Sequence, residues 1–424
     1  MDARRTLIRR SWFVISLALA LLTPAIADAA GAVINPSDRN GSRPWKYDVD
    51  ILQNEVYNAG FPQSFDAFHV DKNGHLWIRV DLRWRDEEYQ TSDAYVPRGR
   101  EATLISKDMG LTWELTEESW PGSPTDRTVF PDGTILETGT RGYLRFPRSE
   151  KERLEKEGYL VKDSPHDGFC TIFYNMWMRR STDGGKTWVK KQIHPQFGFF
   201  AYLIHFGQHA LLDDGTLIVF CYGQRKVTDL KSTYVIRTKD KGDTWEMIKI
   251  ADGQLSHTPS GFNECFTVVK SDGHILALLR TRLAHPTYMV RSMDGGLTWS
   301  KPQETPIRSK HPLPTLLSDG TIVCTYPRRF RPYGIRARFT SDFGKTWSDE
   351  AVLRDDFEIE DGLSWSVTQE LPDGTLFTVM NGMKYFGEKT RQGYVYGSRW
   401  TRDYRRPLGP DIAKPPRRPV INTD

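Results

Sequence analysis

Cysteine is scarce in this chain. Its 424 residues include only four, Cys170, Cys221, Cys265 and Cys324. None of them forms a C-x-x-C pair or a His/Cys cluster, which excludes the usual sequence patterns of zinc sites and dithiol redox centres. Cys221 and Cys324 lie in apolar, strand-like runs, where we expect buried free thiols. One disulfide among the four stays open as an alternative, and we expect neither a metal nor a cofactor.

The chain also lacks a large excess of one charge and, beyond its N-terminus, any long hydrophobic run. Its 58 Lys and Arg against 54 Asp and Glu leave a formal net charge of +4, far from the clustered basic excess of a nucleic-acid-binding protein. No segment after residue 22 is apolar enough to cross a bilayer. We therefore expect no nucleic-acid partner, no membrane span in the mature chain and a monomer.

Residues 1–29 have the pattern of an export signal. Four arginines in the first ten residues precede an apolar run from Trp12 to Leu22, and small residues follow at Ala25, Ala27 and Ala29. This order of basic, apolar and small-x-small segments is typical of a cleaved signal peptide. We predict an exported protein, periplasmic or extracellular, with one domain over residues 30–402. Residues 403–424 form a tail rich in Pro and Arg, which predicts an extended or disordered segment.

A short motif, S/T-x-D-x-G-x-T-W, is present in five copies. It occupies residues 106–113, 181–188, 238–245, 292–299 and 340–347. In each copy, which we call a box, Asp is expected to accept backbone N–H groups across a turn, and Gly to adopt a positive φ. The Trp is expected to pack beneath that turn. A motif repeated at this spacing indicates an array of similar structural units.

A second repeat gives the expected number of units. Asp-Gly or Asn-Gly turns lie between apolar, β-rich runs, and their glycines are Gly74, Gly133, Gly215, Gly273, Gly320 and Gly374. Such dipeptides between strand-like runs predict β-hairpins. Six units, each too small for its own core, predict an all-β fold, a six-bladed β-propeller. The last unit lacks a box, and the segment from Ile51 to Tyr57 is placed to complete it.

In a propeller, residues at one fixed offset from each turn should form a ring around the central funnel. Counting nine or ten residues back from each turn glycine gives Ser64/Phe65, Ser123/Pro124, His205/Phe206, Asn263/Glu264, Lys310/His311 and Ser364/Trp365, with Asp66 and His209 just behind. This mixture of polar and aromatic side chains suits a sugar. Asp66, His205, His311 and Trp365 are therefore predicted to contact a substrate. The alternative is that these polar groups only line a water-filled channel.

At this point the sequence resembles the sialidase (neuraminidase) superfamily, in its bacterial branch of Asp-box, or BNR-repeat, proteins. The resemblance covers about Phe61 to Trp400 and is carried by the boxes and by the segment from Gly261 to Arg280. In that family the Glu of this segment polarises the nucleophile, and the downstream Arg grips the substrate carboxylate. The resemblance therefore implies these roles for Glu264 and Arg280.

The same resemblance implies further site residues. Family members hold the sugar carboxylate with three arginines, use an Asp as acid/base and use a Tyr as nucleophile. Arg83 (or Arg85), followed by Asp86 or Asp93, matches the second clamp arginine and the catalytic Asp. Arg331 or Arg329 matches the last clamp arginine.

Two positions depart from the family pattern. Ser64 stands where the first clamp arginine belongs, and Trp365 stands where the nucleophilic Tyr belongs. Three hypotheses follow for the function. One is a sialidase-like exo-glycosidase acting on terminal acidic sugars of glycans. The second is a polysaccharide lyase or a hydrolase of uronic-acid linkages, with His205, His209 or His311 transferring protons. The third is a non-catalytic propeller that binds glycans.

Overall fold

The computed structural model describes residues 46–56, 65–82, 100–122, 126–140, 143–159, 161–164, 168–173, 176–192, 202–226, 228–282, 285–357, 363, 365–386 and 390–404. Within these ranges the regular secondary structure is almost entirely antiparallel strands, because apolar, β-branched and aromatic runs alternate with turns that contain Gly. The predicted export signal, residues 1–29, lies outside the described residues, as does all but the first part of the tail. No helix in the described part of the chain is long and apolar enough to cross a membrane.

The described strands form six four-stranded antiparallel sheets. Sheet I contains β2 (Phe65–Val70), β3 (Leu76–Leu82), β4 (Arg100–Ser106) and β5 (Glu114–Thr116). Sheet II contains β6 (Arg127–Val129), β7 (Ile135–Thr140), β11 (Met176–Ser181) and β12 (Val189–Gln192). Sheet III contains β13 (Tyr202–Leu211), β14 (Leu217–Gln224), β15 (Ser232–Thr238) and β16 (Glu246–Ala251).

The remaining three sheets follow the same order of neighbouring strands. Sheet IV contains β17 (Cys265–Val269), β18 (Ile275–Leu279), β19 (Tyr288–Ser292) and β20 (Gln303–Glu304). Sheet V contains β21 (Leu313–Leu316), β22 (Ile322–Arg328), β23 (Gly334–Thr340) and β24 (Ala351–Arg354). Sheet VI contains β25 (Ser366–Glu370), β26 (Leu376–Phe386), β27 (Thr390–Trp400) and β1 (Lys46–Val56).

An insertion between β7 and β11 adds a small three-stranded sheet. It contains β8 (Tyr143–Pro147), β9 (Val161–Ser164) and β10 (Phe169–Phe173), with β10 in the middle, and a helix, α1 (Lys151–Lys156). A 3₁₀ turn at Arg148–Glu150 precedes the helix, and a second one lies at Gly253–Ser256 after β16. Leu154 of the helix packs with Cys170 and Ile172 in a small apolar cluster of this insertion.

The chain divides into two compact units. One comprises residues 1–120 and 369–404, with sheet I and most of sheet VI, and the other comprises residues 121–368 and 405–424, with sheets II to V and the insertion. In the first unit β1 pairs with β27 from Lys46 opposite Trp400 to Val56 opposite Arg391. The expectation that the segment before the first turn completes the last sheet is therefore confirmed. The predicted class, an all-β fold of the propeller type, is also confirmed, whereas closure by six blades stays a prediction.

The five boxes adopt one geometry. In each, the carboxylate of Asp accepts the backbone N–H and the hydroxyl of the box Thr, and the first Ser or Thr accepts the N–H of the box Gly. The box glycines have φ between 81° and 92°. At Gly110 a Cβ would also lie 2.0 Å from Phe377, so both the backbone and the packing require glycine there. The predicted role of the box Asp as a turn cap is confirmed.

The cysteines are all buried and free. The expectation of buried thiols at Cys221 and Cys324 is confirmed, and the alternative of one disulfide is wrong. The reason is packing: Cys221 lies in the core of sheets II and III, and Cys324 lies in that of sheets IV and V.

The box geometry leads to a stability prediction that also depends on pH. We expect Asp183→Ala to lower Tm by a few degrees, because the turn loses the acceptor for the Thr187 N–H and hydroxyl. These hydrogen bonds lower the pKa of Asp183 from 3.8 to about 2. The stabilisation is therefore fully present above pH 3.8 and is lost as pH falls towards 2, so the Tm difference should narrow over that interval.

Differential scanning calorimetry of both proteins across that pH range measures this effect. Asp183→Asn is the matched control, since its amide oxygen can still accept the Thr187 N–H and its loss should be smaller. A variant with unchanged Tm that no longer binds a glycan would contradict the structural role.

Candidate functional site

The strongest candidate site begins at one end of sheet IV, where two charged side chains face each other. Glu264 stands directly before β17, and Arg280 directly follows β18, its antiparallel neighbour. Their main chains continue the ladder, because Arg280 N–H donates to the Glu264 carbonyl at 2.9 Å and Asn263 N–H to the Arg280 carbonyl at 3.0 Å. The side chains meet as well: Arg280 Nη1 donates to Glu264 Oε2. They are 20% and 15% exposed, so the ion pair is mostly shielded from bulk water.

An aromatic group adjoins this ion pair. His311 Nε2 lies 3.7 Å from Glu264 Oε2 and 3.4 Å from Arg280 Nη1. The imidazole of His311 stacks on the indole of Trp365, with ring centroids 5.1 Å apart and an angle of 15° between the planes. The Phe266 ring packs edge-on against both, at 5.9 Å and 6.1 Å. His311 therefore covers one face of Trp365, and a sugar can stack only on the face that remains.

The structure brings together three of the residues that the fixed offset from the turn glycines selected. Glu264, His311 and Trp365 each stand nine residues before a turn glycine, at 273, 320 and 374. They precede the first strands of sheets IV, V and VI, β17, β21 and β25. Equal offsets in repeated units thus place the three side chains together.

Sheet III contributes two residues that the sequence did not single out, Lys231 and Tyr222. The Lys231 carbonyl accepts the Phe262 N–H at 2.7 Å. A Cβ on Gly261 would lie 2.3 Å from that carbonyl oxygen, so glycine is required for the approach of the two segments. Through this contact the start of β15 lies beside Glu264. The charges of Glu264 and Arg280 act on both Lys231 and Tyr222.

Among the described residues, more positive than negative groups act on this site. The Glu264 carboxylate is influenced by three cations, Arg280, Lys231 and Lys310. Burial raises the pKa of Glu264, and the three cations oppose that rise. Burial and the charge of Arg280 lower the pKa of Lys231. Three positive groups around one carboxylate make a site that favours an anion.

Two buried polar atoms of the site have no hydrogen-bond partner among the described residues. They are Arg280 Nε and Asn263 Oδ1. Buried polar atoms are normally paired, and a ligand or water is the usual partner where protein atoms are not. No group of three or more His, Cys, Asp or Glu side chains in the described ranges is placed to hold a metal ion. The donors present suit an oxygen-rich anion.

The clamp arginines predicted from the later segment lie elsewhere in the described contacts. Arg331 is exposed, and its guanidinium lies over the ring of Tyr333 at 5.2 Å. No contact of Arg331 with Glu264 or Arg280 occurs among the described residues. Arg329 is half-buried in the same loop between β22 and β23. A clamp role for either arginine stays a prediction.

Other predicted residues fall partly outside the description. Arg83, Asp86 and Asp93 lie outside the described residues, as does Ser64. Asp66 lies in β2 and His205 in β13, but their side chains also lie outside what is described. The ring nitrogens of His209 bond to the hydroxyls of Thr128 at 2.9 Å and Thr138 at 2.7 Å, and its proton-transfer role stays a prediction.

Residues 159–311 match the family described as the BNR repeat-like domain. The resemblance to Asp-box proteins is thereby confirmed, and the matched residues include three of the five boxes together with Tyr222, Lys231, Glu264 and Arg280. No curated protein matches the chain.

Solved structures similar to this chain include a protein of unknown function from Dyadobacter fermentans. It aligns over 84% of this chain and 99% of its own, at 22% identity and a TM-score of 0.58, which shows a shared fold. The Trypanosoma rangeli sialidase in complex with sialic acid aligns at 15% identity and a TM-score of 0.46, over 83% of this chain and 59% of the sialidase. The Penicillium chrysogenum α-L-arabinanase complexed with arabinobiose aligns at 14% identity and 0.44, over 82% and 98%.

Proposed function

We propose that this chain holds an acidic sugar of a glycan at the Glu264–Arg280 site and hydrolyses the glycosidic bond beside it. One observation carries the proposal. Three cations act on one mostly buried carboxylate, next to a stacked pair of aromatic rings. The proposal rests on this site and not on the alignments.

The site offers a place for each part of an acidic sugar. The sugar carboxylate is an anion that Arg280, Lys231 and Lys310 together can neutralise. The face of the half-buried Trp365 indole that His311 leaves uncovered offers an apolar surface to the C–H face of the sugar ring. Such a combination of few charged groups with aromatic surface is usual for sugar sites.

Glu264 is the group best placed to take a proton from the attacking water. Its raised pKa makes the carboxylate a stronger base near neutral pH than an exposed carboxylate. Arg280 keeps that carboxylate oriented through the ion pair. The acid that hydrolysis also needs is Asp86 or Asp93 by resemblance, and that assignment stays a prediction.

We further propose that uronate-bearing glycans are better substrates than sialosides. Trp365 stands at the position of the family nucleophile, and its indole stacks against His311 and has no hydroxyl to form a glycosyl–enzyme bond. A carboxylate on a carbon other than the anomeric one leaves the reacting centre away from the three cations. The acidic glycoside that the protein hydrolyses fastest in a substrate panel identifies the sugar.

A second candidate is elimination at a uronate, as in a polysaccharide lyase. The position of His311 favours it, because an imidazole beside Arg280 could remove the proton next to a carboxylate that the arginine neutralises. The two reactions leave different products. Elimination forms a carbon–carbon double bond that absorbs ultraviolet light, whereas hydrolysis does not.

The test is a panel of sialosides and uronate oligosaccharides offered to wild type and Glu264→Gln. We expect hydrolysis of a uronate glycan and a fall in kcat of about 100-fold or more in the variant, because the water loses its base. Glu137→Gln is the matched control, since Glu137 is also buried and pairs with two arginines, Arg127 and Arg179, in sheet II. Its kcat should remain near that of wild type.

Other results would overturn the proposal in distinct ways. An ultraviolet-absorbing product would establish elimination. Binding without cleavage by wild type would make the chain a glycan-binding protein. Rapid turnover of a sialoside that disappears in Glu264→Gln would mean that the departures at Ser64 and Trp365 do not prevent sialidase chemistry.

A further inference from the structure

Tyr222 lies at the end of sheet III that adjoins Glu264. It is the third residue from the end of β14 and pairs with Thr233 of β15 across the antiparallel ladder. The hydroxyl of Thr233 donates to the Asn263 carbonyl at 3.2 Å, one residue before Glu264. Directly opposite residues of an antiparallel pair project to the same face of the sheet. Tyr222 is thus on the face that meets the Glu264 segment.

The register of the repeats gives Tyr222 the same place that Arg280 has in the next sheet. Arg280 is the seventh residue after the turn glycine at 273, and Tyr222 is the seventh after the one at 215. Along β14 the residues Leu217 to Cys221 are buried, whereas Tyr222 is half-buried. The chain therefore becomes accessible at Tyr222, as it does at Arg280.

The surroundings of Tyr222 favour its neutral form. Burial raises the pKa of Tyr222, the negative charge of Glu264 raises it further, and Arg280 opposes this. A tyrosine in this position keeps its proton at neutral pH and can give it up only to an atom that gains negative charge. The oxygen of a breaking glycosidic bond is such an atom.

We propose that Tyr222 is a catalytic residue of this site, the acid that protonates the leaving glycosidic oxygen. The inference rests on the proposed hydrolysis. In the step, the bond from the anomeric carbon to the glycosidic oxygen breaks, and that oxygen takes the phenol proton. The anomeric carbon bonds to a water oxygen whose proton passes to Glu264. Afterwards the Tyr222 phenolate recovers a proton and Glu264 loses one, both by exchange with solvent.

The acid role of Tyr222 is tested by comparing kcat of Tyr222→Phe and wild type on two substrates whose leaving groups differ in their need for a proton. The two substrates are a uronate disaccharide and the 4-nitrophenyl glycoside of the same uronic acid. We expect kcat on the disaccharide to fall by about 100-fold or more, because its sugar alkoxide cannot leave without a proton. On the nitrophenyl glycoside kcat should stay within roughly tenfold of wild type, because nitrophenolate leaves unprotonated.

Matched variants separate chemistry from folding. Tyr234→Phe removes the hydroxyl of another buried tyrosine, on β15 of the same sheet, and should leave kcat on both substrates unchanged. Asp86→Asn and Asp93→Asn test the acid implied by the family resemblance. Thermal melts of all four variants show whether each is folded.

The outcomes distinguish this inference from the proposed function. Equal losses on both substrates, or no loss on either, would overturn the acid role of Tyr222 while leaving hydrolysis established. A leaving-group-dependent loss in Asp86→Asn or Asp93→Asn, with none in Tyr222→Phe, would assign the acid to that aspartate. A wild-type chain that cleaves neither substrate would overturn the proposed function and the Tyr222 role together.

Discussion

Replacing Arg280 by methionine should abolish most of the affinity for an acidic oligosaccharide. Methionine keeps much of the side-chain length but leaves Glu264 buried without its ion-pair partner and the sugar carboxylate without a directed donor. Truncating one partner of a buried, hydrogen-bonded charge pair costs about 2–5 kcal/mol of binding free energy. A loss of at least roughly 30-fold in Kd is therefore expected. Isothermal titration of a uronate oligosaccharide, at concentrations that span both affinities, measures it.

Two controls show whether the loss concerns the carboxylate. Arg331→Met removes an exposed arginine that lies over Tyr333, and it should bind the oligosaccharide almost as wild type does. If Arg331 were a clamp residue, this variant would weaken binding as well. An oligosaccharide whose carboxyl group has been reduced should bind weakly to wild type. The Arg280→Met substitution should weaken its binding little further. Equal losses for the acidic and the reduced ligand would mean that Arg280 does not hold the carboxylate.

The largest expected effect on stability concerns Arg336 in β23. Its side chain is fully buried and donates to the carbonyls of Arg354 at 2.6 Å, Pro332 at 3.1 Å and Ile335 at 3.1 Å. Its Nε also lies 3.5 Å from Glu350 Oε1. Arg336→Met should lower the free energy of unfolding by about 3–5 kcal/mol, because it leaves buried oxygens without their donor. Urea unfolding followed by tryptophan fluorescence measures this.

A double-mutant cycle identifies the source of that loss. In wild type the Glu350 carboxylate also accepts a hydrogen bond from the Tyr326 hydroxyl, at 2.7 Å. The Glu350→Gln single variant should therefore be destabilised too. If Arg336 and Glu350 stabilise one another, the double variant should lose less than the sum of the two. Additive losses, or an unchanged midpoint in Arg336→Met, would show that the buried network does not stabilise sheet V.

Arg336 also illustrates what the sequence of a run of like residues leaves undetermined. The segment from Pro327 to Arg336 contains several arginines, and the resemblance selected Arg329 and Arg331 as candidates for the clamp. Arg336 is instead the member with no exposed surface, and Arg331 is exposed. Which arginine is buried depends on how β22, β23 and β24 pair, which the composition of the segment does not reveal.

Features that depend on local repetition were predictable from the sequence. Each box closes its own turn with hydrogen bonds between residues two to four apart, such as those of Asp108 to Ser106 and Thr112, so residue types at fixed spacing are sufficient. The Asp-Gly and Asn-Gly turns likewise specify hairpins locally. Because the units repeat, one offset from the turn glycine located Glu264, His311 and Trp365.

The chemical character of the site depended on contacts between residues distant in sequence, which only the tertiary structure decides. Lys231 lies beside the Glu264 segment because its carbonyl accepts the Phe262 N–H. Tyr222 is placed near that segment because it pairs with Thr233, whose hydroxyl donates to the Asn263 carbonyl. The pairing of the strands determines which residues adjoin Glu264. These neighbours determine the excess of positive charge around its carboxylate. The sequence by itself determined which units form and where their ends lie. The packing of one sheet against the next determined which side chains adjoin Glu264, because burial and charge act through space and not along the chain.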